Sequence, residues 1–174
     1  MSTVPTIPSF TVGQILGAAS LQALADMETW LGYKLGGLFQ AKQTVAQSLA
    51  NGDTAITFSS EDYDTDGGHS TSSLTSRYTA QTSGLYWAWG TVHFTNANTD
   101  YAAFIRVNNS GGSGGTRVPK PASGDALVPV IPVLVTLNAG DFVEIVARQA
   151  SGGAINSSVA SGGSLFGVAI ARPL

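Results

Sequence analysis

Residues 85–94 read Leu-Tyr-Trp-Ala-Trp-Gly-Thr-Val-His-Phe, and no other stretch limits the available folds as tightly. Side chains alternate across a strand with a period of two. Leu85, Trp87, Trp89, Thr91 and His93 therefore point one way, and Tyr86, Ala88, Gly90, Val92 and Phe94 the other. Both faces carry large apolar or aromatic groups. A strand of a solvated antiparallel sandwich buries one face and turns a polar one to water, so this strand needs two covers. The first is the domain's own core. The second is either a helical layer within the chain or another subunit, because an exposed patch holding two tryptophans is an association site. The same pattern recurs at 127–137 and 165–171, and little of the chain after residue 40 reads as helix able to cover three such strands. A second subunit is the more economical cover.

At 174 residues the chain suffices for one domain with a full core plus an extension. It contains no cysteine, which excludes disulfides and thiolate metal sites and leaves the redox compartment open. Charged residues make up 11%, against roughly 25% in ordinary soluble domains. The eight Lys and Arg are scattered singly and the formal net charge is −3, so no basic patch exists to follow a phosphate backbone, and nucleic-acid binding is not expected. The longest apolar run, 126–135, holds two prolines and is far too short to span a membrane. The first residues lack the basic and hydrophobic regions of a signal peptide. The expectation is a soluble chain made in the cytoplasm, with no membrane insertion and no export by the general secretory route.

Residues 1–41 and 42–174 differ in character. Residues 1–9 are rich in Pro, Thr and Ser and read as an extended arm. Thr11 and Gln14 stand at capping-box spacing, with Phe10 and Ile15 placed for a hydrophobic staple. A helix is predicted from 18 to about 31, with Leu21, Leu24, Met27 or Glu28, and Leu31 forming one apolar stripe. So short a helix needs a partner for that stripe, either symmetry mates or a neighbouring protein. From Lys42 on, runs rich in Val, Ile, Thr and aromatics alternate with turn signals such as Asn51-Gly52, Asp66-Gly67-Gly68 and Gly140-Asp141. Strands are predicted at 44–48, 55–58, 74–80, 85–95, 101–107, 127–137, 142–149 and 165–172, the pattern of a sandwich or barrel. The run 110–115, Ser-Gly-Gly-Ser-Gly-Gly, reads as a flexible loop; with no helix or Gly-Lys-Ser/Thr following, it is not a phosphate cradle.

Several segments occur in a telling order: Ala55-Ile-Thr-Phe58, the acidic turn 61–69, Thr82-Ser-Gly84-Leu-Tyr86, Phe104-Ile-Arg106-Val-Asn108, the run 135–145 containing Gly140-Asp141, and Ser164-Leu-Phe166-Gly-Val-Ala-Ile170. Over roughly residues 43–174 this order resembles the C1q-like and tumour-necrosis-factor-like jelly roll. The resemblance implies a mainly β jelly-roll sandwich that forms a homotrimer about a three-fold axis, burying aromatic and aliphatic side chains between subunits. Alternation alone says only that the chain is not a monomer. Tyr86, Trp87, Trp89, Phe94, Phe104 and Phe166 are the candidates for core and subunit interface.

The opening Phe10-Thr-Val-Gly-Gln-Ile-Leu-Gly-Ala-Ala-Ser-Leu-Gln-Ala-Leu24 is similar to openings of virion proteins of tailed bacteriophages, particularly those infecting actinobacteria. There a short helix anchors a β-rich module to the particle. Phe10, Ile15, Leu21, Leu24 and Leu31 are the corresponding anchor residues here. The expected role is a virion structural protein made in the host cytoplasm: a minor tail protein or tail-associated adsorption module contacting other virion proteins, and a host glycan if it binds a receptor. A capsid decoration protein or head fibre is the alternative, and a free bacterial carbohydrate-binding lectin a second one.

Sites for chemistry are sparse. Asp62, Asp64 and Asp66 before Gly67 fit the first half of a calcium loop, but Ser73 stands where the closing bidentate Glu belongs. An EF-hand is excluded; a looser calcium site using these carboxylates, or a plain solvated turn, is left. His69 and His93 are candidates for a metal pair or a general base, but there is no Gly-x-Ser-x-Gly elbow and no His-Glu-x-x-His. Asp141 and Glu144, three apart on one strand, point to opposite faces and cannot act as a glycosidase pair. The expectation is a chain without catalytic residues. Tyr86, Trp87 and Trp89 would serve either packing or sugar stacking.

Overall fold

A computed structural model describes residues 9, 11–13, 17–33, 37–95, 99–119 and 124–174, the side chains of 29–33 excepted. Helix α1 spans Ala18–Tyr33, where the apolar spacing placed it. Its first turn is fixed by Gly17, whose carbonyl accepts from the amides of Ser20 and Leu21. Leu21 and Leu24 are 51% and 40% exposed, so no described residue covers the stripe there. Phe10, Gln14 and Ile15, and the side chain of Leu31, lie outside the described residues.

The described strands are β1 (Leu38–Lys42), β2 (Ser48–Leu49), β3 (Gly52–Ala55), β4 (Ser60–Asp64), β5 (Arg77–Thr79), β6 (Gly84–Phe94), β7 (Tyr101–Val107), β8 (Ser110–Val118), β9 (Ala126–Leu137), β10 (Phe142–Gln149), β11 (Ile155–Asn156) and β12 (Leu165–Pro173). One sheet has the order β4-β1-β12-β6-β9; the other has β3-β10-β7-β8, with β5 pairing β10 next to β3. All these pairs are antiparallel, and the chain crosses between sheets from β6 to β7, β8 to β9, β9 to β10 and finally to β12. That alternation makes the jelly-roll sandwich.

The core is the set of inward positions. Phe39 and Ala41, Tyr86, Ala88, Val92 and Phe94, and Phe166 and Val168 meet Ile105, Val143 and Ile145 of the opposite sheet, all at most 1% exposed. Phe39 meets Phe166 edge-on at 5.5 Å, and Phe94 packs against Tyr101 at 4.6 Å. Burying one such ring contributes about 1.5–3 kcal/mol. The Tyr86 hydroxyl donates to the Thr82 carbonyl at 2.6 Å, so this side chain enters the core without an orphaned polar group. Burial and the nearby Asp66 carboxylate push its phenol up to about 12.

Several predicted elements shift. The sandwich begins at Leu38, ahead of residue 42, because Phe39 and Ala41 are core residues following the glycine pair. The strand predicted at 44–48 shrinks to Ser48–Leu49, and 74–80 to Arg77–Thr79, Leu74 being held at φ +50°. The strand predicted at 55–58 falls earlier, at Gly52–Ala55; beyond it the buried Ile56 and Phe58 bond singly, to Ile145 and Thr75. Half of the acidic turn is strand β4, and the glycine run at 110–115 lies in strand β8, not a loop.

Candidate functional site

The two sheets turn very different outer faces to solvent. On the first, antiparallel register lines up Leu38, Ala169, Trp87 and Leu134 across β1, β12, β6 and β9. Trp87 is 44% and Leu134 48% exposed. Trp89 lies across Gly167, where a Cβ would sit 2.4 Å from its ring, so only glycine leaves the indole its place. Along β9 a bulge opposite Trp89 turns both Ile131 and Pro132 outward, and Leu127 continues the apolar strip. As an edge strand, β9 accommodates Pro129 and Pro132 without losing an interior ladder bond. Lys42, tied to Asp62 at 2.7 Å, stands toward the far edge by β4.

On the second sheet the corresponding row is Asp53, Arg148, Ala102 and Arg117, across β3, β10, β7 and β8. Arg148 grips both oxygens of Asp53, and Arg117 reaches Asp100 at 2.5 Å. The hydrogen bonds from Arg148 hold the Asp53 carboxyl below its ordinary range. Arg77, Glu144 and Arg106 form a second row. Glu144 is 2% exposed and accepts from Ser76 at 2.7 Å, Arg106 at 2.8 Å and Arg77 at 3.3 Å. Two guanidiniums and a hydroxyl thus offset the desolvation of one buried carboxylate. Arg77 also stacks over Phe142 at 4.0 Å.

The six aromatic candidates divide among three places. Tyr86, Phe94 and Phe166 are core, and Trp87 and Trp89 lie on the apolar outer face. Phe104 belongs to neither; it is on the second sheet's outer face, covered by Gly112 and by the Arg148 guanidinium 5.2 Å away. Sequence reading named Glu144 only to dismiss a glycosidase pair with Asp141, and singled out neither Arg148 nor Asp53. The signal that could have found this face is the alternation of Phe142, Glu144, Val146 and Arg148 with the core residues Val143, Ile145 and Ala147.

The three carboxylates of the acidic turn do not meet at one point, although those of Asp64 and Asp66 interact. Asp62 binds Lys42 and Gln40; Asp64 accepts from the amides of Gly67, Gly68 and His69; Asp66 accepts from the Tyr78 hydroxyl at 2.8 Å. Among the described residues no group of three or more His, Cys, Asp or Glu is placed to hold a metal ion. Burial, aided by Asp64 and opposed by the Tyr78 hydroxyl, holds the Asp66 carboxyl above its ordinary range. Burial and the Asp66 charge likewise raise the Tyr78 phenol. His69 is wedged between Glu61 at 2.6 Å and the Thr75 carbonyl at 3.0 Å, and the His93 ring stands 3.8 Å from Asp125. The two histidines thus have separate partners, and among the described residues neither ring bonds a serine hydroxyl. Asp141 closes its turn by accepting from Asn138 and Asn108, which lower its carboxyl below the usual range, away from Glu144.

No protein-family model matches the chain, and no curated protein matches it in sequence. Solved structures do match in fold. The globular domain of zebrafish complement 1qA protein is 13% identical, with a TM-score of 0.60 over 79% of this chain and 99% of that one. Murine APRIL at pH 5.0 is 12% identical, with a TM-score of 0.59 over 80% of this chain and 99% of that one. The sandwich is therefore a C1q/TNF-like jelly roll, as the order of its strand motifs implied.

Proposed function

We propose that the chain is a homotrimeric structural protein of a tailed-bacteriophage virion, a minor tail protein or tail-associated adsorption module. The observation that carries self-association is the apolar row Leu38, Ala169, Trp87 and Leu134, extended by Leu127 and Ile131, which this fold leaves in water. Monomeric proteins rarely expose such a continuous strip, and two Trp at its centre are what a subunit interface uses. The fold's likeness to C1q-like and TNF-like domains supports three-fold closure. The virion role draws on the opening residues 10–24 and on α1, whose Leu21 and Leu24 stand uncovered and ready to dock on another virion protein. Three linked copies multiply weak contacts to a host surface, which suits adsorption.

The deciding experiment is electron microscopy of purified particles with gold-labelled antibody against residues 43–174. Label on the tail is the expected result. Label on the head makes the chain a capsid decoration protein or head fibre, and no label on particles overturns the virion role.

A further inference from the structure

The ionic outer face of the second sheet holds an open pocket of about 620 Å³. Ala102, the small member of its row, separates the Arg148 and Arg117 side chains there. Phe104 lies at its floor with Gly112 packed on its ring, and Gly111 and Gly115 add bare backbone to the lining. That backbone is also partly released from the sheet. β8 slips register twice against β7, so that Gly114 and Gly115 oppose Phe104 alone, and Gly111 and Gly112 oppose Arg106 alone. Such bulges leave amide and carbonyl groups outside the ladder.

Packing explains only part of the glycine content. At Gly112 a Cβ would lie 2.9 Å from the Phe104 ring, so the aromatic floor requires glycine. At Gly115 a Cβ would meet nothing closer than 3.7 Å, and no left-handed φ is needed. The fold tolerates a side chain at 115; the pocket does not, since any large one would fill it.

Charge selects the ligand class. Arg148 is neutralised by Asp53 and Arg117 by Asp100, so the rim carries no excess of either sign. An anion entering here would meet the two carboxylates along with the arginines. Arg117 nevertheless uses only Nη2 on its partner, leaving further N–H groups at the rim. Alternating donors and acceptors beside Ala102, bare glycine backbone and the small part of Phe104 left uncovered suit a ligand whose hydroxyls both donate and accept and whose C–H groups are apolar. We propose that this pocket binds a neutral saccharide of one or two rings. The proposal deepens the adsorption reading, on which its biological purpose rests, by naming the class of surface ligand.

The test uses the full chain and saturation-transfer NMR with cellobiose, maltose, lactose and N,N′-diacetylchitobiose, and glucuronic acid as the charged control. Transfer to at least one neutral disaccharide is expected, insensitive to added salt. Gly115→Phe should weaken that binding at least about ten-fold by filling the pocket. Arg117→Ala, at a side chain 74% exposed, should weaken it as well without disturbing the fold. No transfer to any of the four, transfer unchanged in both variants, or salt-sensitive binding of glucuronic acid alone overturns the proposal. Neither position lies on the apolar face, so light scattering of the same samples reports the trimer separately. A monomer that still binds sugar fails the proposed function alone; a trimer without sugar binding fails only this inference.

Discussion

The rows Leu38–Ala169–Trp87–Leu134 and Asp53–Arg148–Ala102–Arg117 occupy equivalent places, each crossing four strands on the outside of its sheet. Each even contains one alanine. They differ in whether a single chain satisfies them. In the second row and its neighbour Arg77–Glu144–Arg106 every carboxylate is held by arginine, with one guanidinium in excess, so water is an adequate neighbour. The first row has nothing among the described residues to cover it. Two faces of one sandwich thus differ in how far their residues complete their own contacts.

Trp87→Asp is the strongest way to break this contrast. A carboxylate at the centre of the apolar row would be desolvated without a partner on association, so light scattering should fall from three chain masses to one, with affinity lowered at least about a hundred-fold. Circular dichroism should keep the β signal, because Trp87 is 44% exposed in the single chain. Arg148→Ala, at the equivalent place on the other face, should leave the mass at three chains. A wild-type chain that scatters as one mass would sink the interface.

The second effect falls on stability. Glu144→Ala strands two guanidiniums and the Ser76 hydroxyl around a site that is 2% exposed. Breaking a buried pair costs about 3–5 kcal/mol, and the partial exposure of both arginines reduces this to about 2–3 kcal/mol. A urea melt should show the lower midpoint while scattering still gives a trimer at low denaturant.

How far these faces were legible in the sequence depended on what each residue had to do. Tyr86, Trp87 and Trp89 declared a strand with two apolar faces, because large apolar groups stand on both parities. The jelly roll followed from the order of turn and strand motifs, and Gly167 next to Phe166 has its reason in the indole that lies across it. The ionic face stayed hidden because its partners are far apart in the chain: Asp53 and Arg148 meet only through the β3–β10 register. Strand β8 was hidden for another reason. Six residues of Gly and Ser carry no alternation, and their place in the sheet is dictated by Phe104 beneath them rather than by their own propensity. Phe104 itself was grouped with the core and interface aromatics because periodicity gives a parity, not the identity of the sheet's two sides.

Gly167→Ala sharpens the contrast more gently. The added methyl lies 2.4 Å from the Trp89 ring, which is partly exposed and can swing away. Stability should change by less than about 1 kcal/mol, while the displaced indole reshapes the apolar face and weakens association roughly ten-fold. Concentration-dependent scattering separates the two, since only the association constant should move.

The smallest effects are electrostatic and have opposite signs at the two sheets. The Asp53 carboxyl, on the ionic face, is lowered by Arg148, so its contribution is present above the unfolded value of about 3.9 and is lost as pH falls through the folded one. The Asp66 carboxyl, just past edge strand β4, is raised, chiefly by burial. Its folded form holds the proton more tightly, so that contribution is full below about pH 3.9 and disappears as pH rises through the folded value. Asp53→Asn should therefore cost under about 1 kcal/mol near neutrality and nothing in acid, and added salt should shrink the difference. Asp66→Asn should do the reverse, flattening the wild-type loss of stability between acid and neutral pH. Melting curves for both variants across that range decide it: two variants drifting in the same direction with pH would mean that the carboxylates at the two sheets are not held in opposite ways.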